Sequence, residues 1–113
     1  MATRDDAELM VQLLRWGSEM GFDEALRTVF TPGFDAGAAS MADPSVTKIL
    51  YFGEAVGTLV KHDLLDGALL RDFLWIEGIW ERVGPSALAA RADAGEPRLY
   101  ENFEALVDRV PAA

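Results

Sequence analysis

The chain has 113 residues, half of them hydrophobic, with one His, no Cys and a net charge of −9. This is enough apolar material for a single folded domain, 1–113, without disulfides, and the lack of Cys excludes cysteine-ligated zinc sites. The excess of acidic residues opposes a broad phosphate-binding surface, so no nucleic-acid partner is expected.

The first predicted helix spans about residues 4–20. Thr3 followed by Asp6 is an acidic variant of the capping box, and Gly21 suits the left-handed position after a helix. Apolar residues recur on one arc of this helix, and charged residues fill the opposite arc. The pattern is typical of a helix with one buried face.

A short second helix, capped by Asp23, is predicted to end before Pro32. Residues 31–43 form the longest irregular segment, which Phe34 and Met41 are expected to hold against the core. A loop of this length is either functional or a mobile connector, and the connector is the favoured interpretation.

The third helix is predicted over 44–62, with Asp43 as its N-cap and Pro44 in its first turn. Its polar stripe is narrow, and nearly all its other residues are apolar or small. A helix of this composition is covered on several sides. We therefore expect an all-α fold, a compact and mostly antiparallel bundle of five to six helices around this central helix.

Gly53 and Gly57 lie on the apolar arc of the third helix. Each glycine costs about 1 kcal/mol relative to alanine inside a helix, and a close approach of another group is expected to offset that cost. Three interpretations are open: core packing within the chain, a self-associating face, and a notch for a ligand.

A long aromatic helix is predicted over 67–83. Trp80 shares the apolar face of this helix, whereas Trp75 lies away from it. Trp75 is therefore expected at a rim, where it stacks on Arg71, contacts another protomer or forms a platform for a small molecule.

Two carboxylates of the same helix, Asp72 and Glu77, fall among apolar positions. Burial raises the pKa of an unpaired carboxylate, and such groups act as acids in some active sites. The favoured interpretation is a structural ion pair with an arginine of another helix, for which Arg15, Arg91 and Arg98 are the candidates.

A break at Gly84-Pro85 is predicted to separate this helix from a weaker helix at 85–94, and a last helix is predicted at 98–109. In the last of these, Tyr100 and Phe103 are expected to pack against the core. Its polar residues Asn102 and Glu104 are expected to tie the helix to a neighbour rather than to form a site.

No catalytic, phosphate-binding or calcium-loop motif occurs in the chain. His62 is expected to be an ordinary residue at the C-terminal end of its helix, where the helix dipole favours a cation. We predict no catalytic residue, no cofactor and no metal site. An enzyme that uses His62 with Asp72 or Glu77 is the least favoured alternative.

No stretch reaches the run of about 18 apolar residues that spans a bilayer, and the acidic start of the chain differs from a secretory signal. No membrane partner is expected. With neither Cys nor a signal, a bacterial-type cytoplasm is the simplest compartment.

Four parts of the chain carry a resemblance: the stretch 52–66, the helix with Trp80, then Arg91, and the stretch 97–106. Together they resemble the bacterial domain-of-unknown-function family number forty-seven sixty. In that family an aromatic-Glu segment, a Leu-Asp turn, a Trp helix and a Tyr-x-x-Phe-Glu-x-Leu segment recur. The resemblance covers about residues 46–108 and implies an all-helical domain with no catalytic residue to carry over.

The leading hypothesis is a non-enzymatic interaction or scaffold module, a homodimer that uses the surfaces around Gly53 and Gly57 and around Trp75 and Trp80. The alternative is a small-molecule-binding or sensor domain. Its pocket would lie between the third and fourth predicted helices and be lined by Tyr51, Phe52, Glu77 and Trp80.

Overall fold

Six α-helices form the part of the chain that the computed structural model describes, residues 2–108 with the backbone alone at position 108. They are α1 (Arg4–Met20), α2 (Phe22–Val29), α3 (Pro44–Lys61), α4 (Gly67–Phe73), α5 (Ile76–Ala94) and α6 (Glu101–Asp108). The predicted all-α bundle of five to six helices is confirmed. Arg109, with which the final helix was expected to end, lies outside the described residues.

Both ends of α1 form as the sequence predicts. The Asp6 amide donates a hydrogen bond to the Thr3 hydroxyl at 3.2 Å, and the Thr3 amide donates one to the Asp6 carboxylate at 2.7 Å. Gly21 adopts a φ of 85°, a left-handed conformation that costs glycine little. Because Gly21 also precedes α2 directly, α2 begins at Phe22, and the predicted cap at Asp23 is wrong.

The helix predicted to be central, α3, does occupy the centre of the bundle. The Ser45 amide donates a hydrogen bond to the Asp43 carboxylate at 2.8 Å, which caps the helix as expected. Helices α2, α5 and α6 all contact α3. Its inward side chains are fully buried, namely Val46, Ile49, Leu50 and Val56.

The predicted helix over 67–83 is wrong in one respect, because the chain divides it in two. Leu74 is extended, with φ −108° and ψ 132°, so α4 ends at Phe73 and α5 begins at Ile76. Ile76 enters the core at the start of its own helix. Phe73 and Trp75, on either side of Leu74, remain exposed.

The predicted break at Gly84-Pro85 does not occur, and α5 continues to Ala94. A proline inside a helix removes one backbone hydrogen bond, here the bond to the Glu81 carbonyl. Glu81 and Pro85 are both exposed residues, so the interruption lies on the side of α5 that faces solvent rather than the core. The helix therefore tolerates the proline.

Residues 30–43 join α2 to α3 through a series of turns. Phe34 and Met41 are partly buried and pack against the core, as expected. The hydroxyl of Ser86, a buried residue of α5, donates a hydrogen bond to the Ala39 carbonyl at 3.1 Å. The segment is thus attached to the bundle by side chains and by its backbone.

The last described helix begins at Glu101 rather than at residue 98. A turn precedes it, and in this turn Tyr100 adopts a φ of 61°, which is uncommon for a residue other than glycine. The Arg91 Nε atom donates a hydrogen bond to the Leu99 carbonyl at 2.6 Å and holds the turn against α5.

Among residues 2–108, no helix has the length and apolar character needed to cross a membrane.

Candidate interaction surfaces

The notch formed by Gly53 and Gly57 is filled from within the chain. A Cβ atom added to Gly53 would collide with the Phe103 ring, and one added to Gly57 would collide with the Asn102 backbone. Both glycines are buried. The structure thus shows core packing, and neither glycine is accessible to a second copy or to a ligand while α6 is in place.

Glu54, next to this notch, caps α6 from the side. Its Oε1 atom accepts hydrogen bonds from the backbone amides of Asn102 and Phe103, each at 3.0 Å. Amides in the first turn of a helix have no partner within their own helix, and a carboxylate there also interacts favourably with the helix dipole. One side chain of α3 therefore fixes the start of α6, across 48 residues of sequence.

Two further polar contacts join α6 to its neighbours. Asn102 Nδ2 donates a hydrogen bond to Thr58 Oγ1 at 3.0 Å, and Glu104 Oε1 lies 3.0 Å from Arg91 Nη1. The expectation that Asn102 and Glu104 tie the last helix to a neighbour is confirmed. The α6 clasp is the name used below for the residues of α3 and α5 that hold α6, which are Gly53, Glu54, Gly57, Thr58 and Arg91.

The role of Glu54 is not among the predictions made from the sequence. The available signal was the narrow polar stripe of α3, which carries Glu54 and Thr58 one turn apart on an otherwise buried helix. Polar groups in such a position need hydrogen-bond partners.

The Tyr100 hydroxyl also interacts with Glu54. The partial burial of Tyr100, together with the charge of Glu54, raises the pKa of this hydroxyl.

A second cluster lies at the break between α4 and α5. The side chains of Trp75 and Phe73 are exposed by 66% and 55%. The Trp75 ring stacks on Phe30, with 6.0 Å between ring centroids and 17° between ring planes. It also covers Gly78, where an added Cβ atom would collide with the indole. Trp75 is therefore held in place although most of its surface faces solvent.

A hollow of about 110 Å³ lies beside Phe73. Its walls are mostly apolar and come from α1, α2, α3 and the α4–α5 break, with Ser18 and Asp23 as polar members. The Arg82 guanidinium lies 5.3 Å from the centroid of the Phe30 ring. We call the apolar residues that line the hollow or stack beside it, and that are not buried in the core, the aromatic surface; they are Leu14, Leu26, Phe30, Phe73, Leu74 and Trp75.

A family model described as a domain of unknown function, DUF4760, matches residues 6–110. The chain belongs to the DUF4760 family. The match begins well before the resemblance at 46–108 and includes most of α1 and all of α2. No curated protein and no solved structure matches the chain. In this DUF4760 domain the stretch 52–66, which carries part of the family resemblance, contains four residues of the α6 clasp. The stretch 97–106, which carries another part, contains the first turns of α6.

The residues predicted to line a pocket in the DUF4760 domain are not brought together. Phe52 is buried and stacks on Trp16, with 5.2 Å between ring centroids. Trp80 instead packs edge-on against Phe103, also with centroids 5.2 Å apart. Tyr51 is 62% exposed. Of these predicted residues, Phe52 alone contributes to the hollow.

The two carboxylates singled out from the sequence lie outside the core. Asp72 is exposed and Glu77 is half-buried, and neither forms a salt bridge within residues 2–108. The prediction of a buried Asp72 is wrong because it placed Asp72 beside Ile79 and Val83, which belong to a different helix once the chain breaks at Leu74. Of the candidate arginine partners, Arg91 and Arg98 pair with glutamates of the α6 region instead.

The same break removes the predicted stack of Trp75 on Arg71, because the two residues no longer share one helix. The Nε and Nη1 atoms of Arg71 are buried and have no hydrogen-bond partner among residues 2–108. His62 is exposed and follows α3 directly. Within the described part of the chain, no three His, Asp or Glu side chains are grouped so that they could hold a metal ion.

Proposed function

We propose that this DUF4760 domain is a non-enzymatic interaction module that self-associates through the aromatic surface. The observation that carries the proposal is the exposure of a Trp75 ring that Phe30 and Gly78 hold in place. Tryptophan is enriched among the residues that dominate binding energy. A ring that is already fixed loses little conformational entropy when a partner covers it.

A second copy of the chain suits this surface because the surface offers both an exposed ring and a hollow. Phe73 and Leu74 line the hollow, and the exposed Trp75 follows them directly in the chain. In a two-fold dimer the same patch of both copies meets, so the ring of each copy would face the hollow of the other.

The charges of the surface support the same arrangement. Asp23 lies at the hollow and Arg82 lies beside Phe30, and neither has an ionic partner among residues 2–108. A two-fold axis between them would place each Asp23 near the Arg82 of the other copy. Opposite charges in such positions fix the register of an interface more than they add affinity.

Size-exclusion chromatography with light scattering tests the proposal at high micromolar concentration. We expect a dimer for the wild type and a much weaker self-association for Trp75→Ser. Leu64→Ser is the matched control, since Leu64 is 63% exposed but lies outside the aromatic surface. A monomeric wild type, or a Trp75→Ser variant that dimerises as strongly as the wild type, would overturn the proposal.

Charge reversal tests the two-fold geometry. Arg82→Asp alone and Asp23→Arg alone should each weaken the dimer, because each places like charges across the interface. A mixture of the two variants should restore it, since every contact across that heterodimer then joins opposite charges. Native mass spectrometry distinguishes the heterodimer from both homodimers, and the absence of the heterodimer would contradict the two-fold pairing.

Binding of a small apolar molecule is a second candidate function, and the hollow favours it. At about 110 Å³ the hollow is smaller than the roughly 150 Å³ apolar cavity that binds benzene in another protein. It would therefore enclose an alkyl or phenyl end rather than a whole ligand. Benzene and indole are suitable probes. Their binding should change the NMR chemical shifts of the Gly17 and Leu26 backbone amides. Leu26→Phe should fill the hollow and abolish those shifts, and unchanged spectra of the wild type would exclude this function.

A further inference from the structure

Helix α6 is held almost entirely by side chains of other helices. It has eight residues, which is too short for a helix to be stable alone in water. Its first amides are capped by Glu54, its Asn102 is bonded to Thr58, and its Glu104 is paired with Arg91. Because every one of these clasp residues precedes α6 in the chain, the clasp of a second copy offers α6 an identical site.

The connection before α6 is short and strained. Only residues 95–100 separate α5 from α6, and Glu96, Pro97 and Arg98 are exposed. Tyr100 closes the connection with a φ of 61°, where its Cβ atom costs free energy that glycine would avoid. Short connections under strain favour the exchange of an element between copies.

We propose that two copies of the chain exchange α6, so that α6 of each copy lies in the α6 clasp of the other. Opening of the 95–100 connection relieves the left-handed conformation at Tyr100, while all clasp contacts form again between copies. Exchange is independent of the aromatic surface, because no clasp residue belongs to that surface.

The absence of native Cys allows a direct test by disulfide formation. Chains with Thr58→Cys are mixed with chains with Asn102→Cys at high micromolar concentration, oxidised, and weighed by mass spectrometry. These two positions face each other in the clasp, at 3.0 Å between their polar atoms. Exchange predicts that the covalent heterodimer far exceeds both covalent homodimers.

A matched mixture measures random collision. Leu64→Cys replaces Thr58→Cys as the partner of Asn102→Cys, since Leu64 is exposed but lies outside the clasp. Heterodimer yields no higher for position 58 than for position 64 would overturn the exchange. The same mixtures with Trp75→Ser in both chains separate the two proposals, because exchange should persist when the aromatic surface is lost.

A second measurement needs no cysteine and compares two variants of Tyr100. Tyr100→Gly and Tyr100→Ala both remove the ring, but only glycine removes the strain at a φ of 61°. The exchanged dimer should be about tenfold less populated in Tyr100→Gly than in Tyr100→Ala. Both variants also carry Trp75→Ser, so that light scattering reports the exchanged dimer alone, and equal dimer populations would overturn the role of the connection.

Discussion

The Phe103 ring lies directly against Gly53, in the space that any larger residue at position 53 would fill. Phe103 is 2% exposed, so the ring is enclosed by the core. The absence of a side chain at Gly53 is therefore what allows α6 to pack closely on α3. Here the contact offsets the intrinsic cost of a glycine within a helix.

Gly53→Ala should lower the free energy of unfolding by about 1–3 kcal/mol, although alanine is the better helix former by about 1 kcal/mol. Urea unfolding followed by circular dichroism measures the change. Gly37→Ala is the control, because its added Cβ atom would meet only Asp35 at 3.4 Å. That variant should stay within about 0.5 kcal/mol of the wild type. An equally small effect at position 53 would contradict the close packing of α6.

Glu54→Ala should destabilise the fold by about 1–2 kcal/mol, the usual cost of losing a helix cap. The variant leaves the Asn102 and Phe103 amides without an acceptor, so their hydrogen exchange should accelerate more than that of the rest of α6. Glu54→Gln keeps an oxygen acceptor and should retain part of the stability. Glu81→Ala removes an exposed glutamate of α5 as the control. Unchanged exchange at both amides in Glu54→Ala would show that the cap is dispensable.

Local chemistry allowed part of the fold to be predicted. The capping pair Thr3 and Asp6, the left-handed Gly21 and the Asp43-Pro44 start all depend on residues within a few positions of each other. The apolar character of α3 likewise predicted its central position. These features do not depend on contacts between helices, so the sequence alone predicts them.

The break at Leu74 and the cap at Glu54 depend on tertiary contacts instead. No glycine or proline marks residues 73–75, and the chain breaks there because separate helices bury Ile76 and leave Trp75 stacked on Phe30. A helical wheel drawn through that break misplaced Asp72. The Glu54 cap joins residues 48 positions apart in the sequence, so no pattern of neighbouring residues predicts its partner.

Stability at acid pH should depend on Asp6. Hydrogen bonds from the Thr3 and Asp66 amides hold the pKa of the Asp6 carboxyl below its ordinary value. A carboxylate with a lowered folded pKa stabilises the fold above its unfolded pKa, and this contribution is lost as the pH falls through the folded value.

Asp6→Asn should therefore lower the Tm at neutral pH, and the difference from the wild type should shrink below a pH of about 4. Thermal unfolding from a pH of about 7 down to about 3 measures this trend. Asp5→Asn, in the same helical turn, removes a carboxylate without removing these hydrogen bonds and is the control. A difference that stays constant at all pH values would show that titration of Asp6 plays no part.

The proposed dimer through the aromatic surface should tighten as salt is added. Each copy carries a net charge of −9, so two copies repel each other at long range. Salt screens this repulsion, whereas the burial of Trp75 and Phe73 is not screened. The Asp23 and Arg82 pairs oppose the trend, but exposed ion pairs contribute at most about 1 kcal/mol each. Sedimentation equilibrium from about 0.05 M to about 0.5 M salt should show a Kd that falls several-fold. A Kd that rises with salt would mean that the ion pairs, rather than the apolar contacts, hold the two copies together.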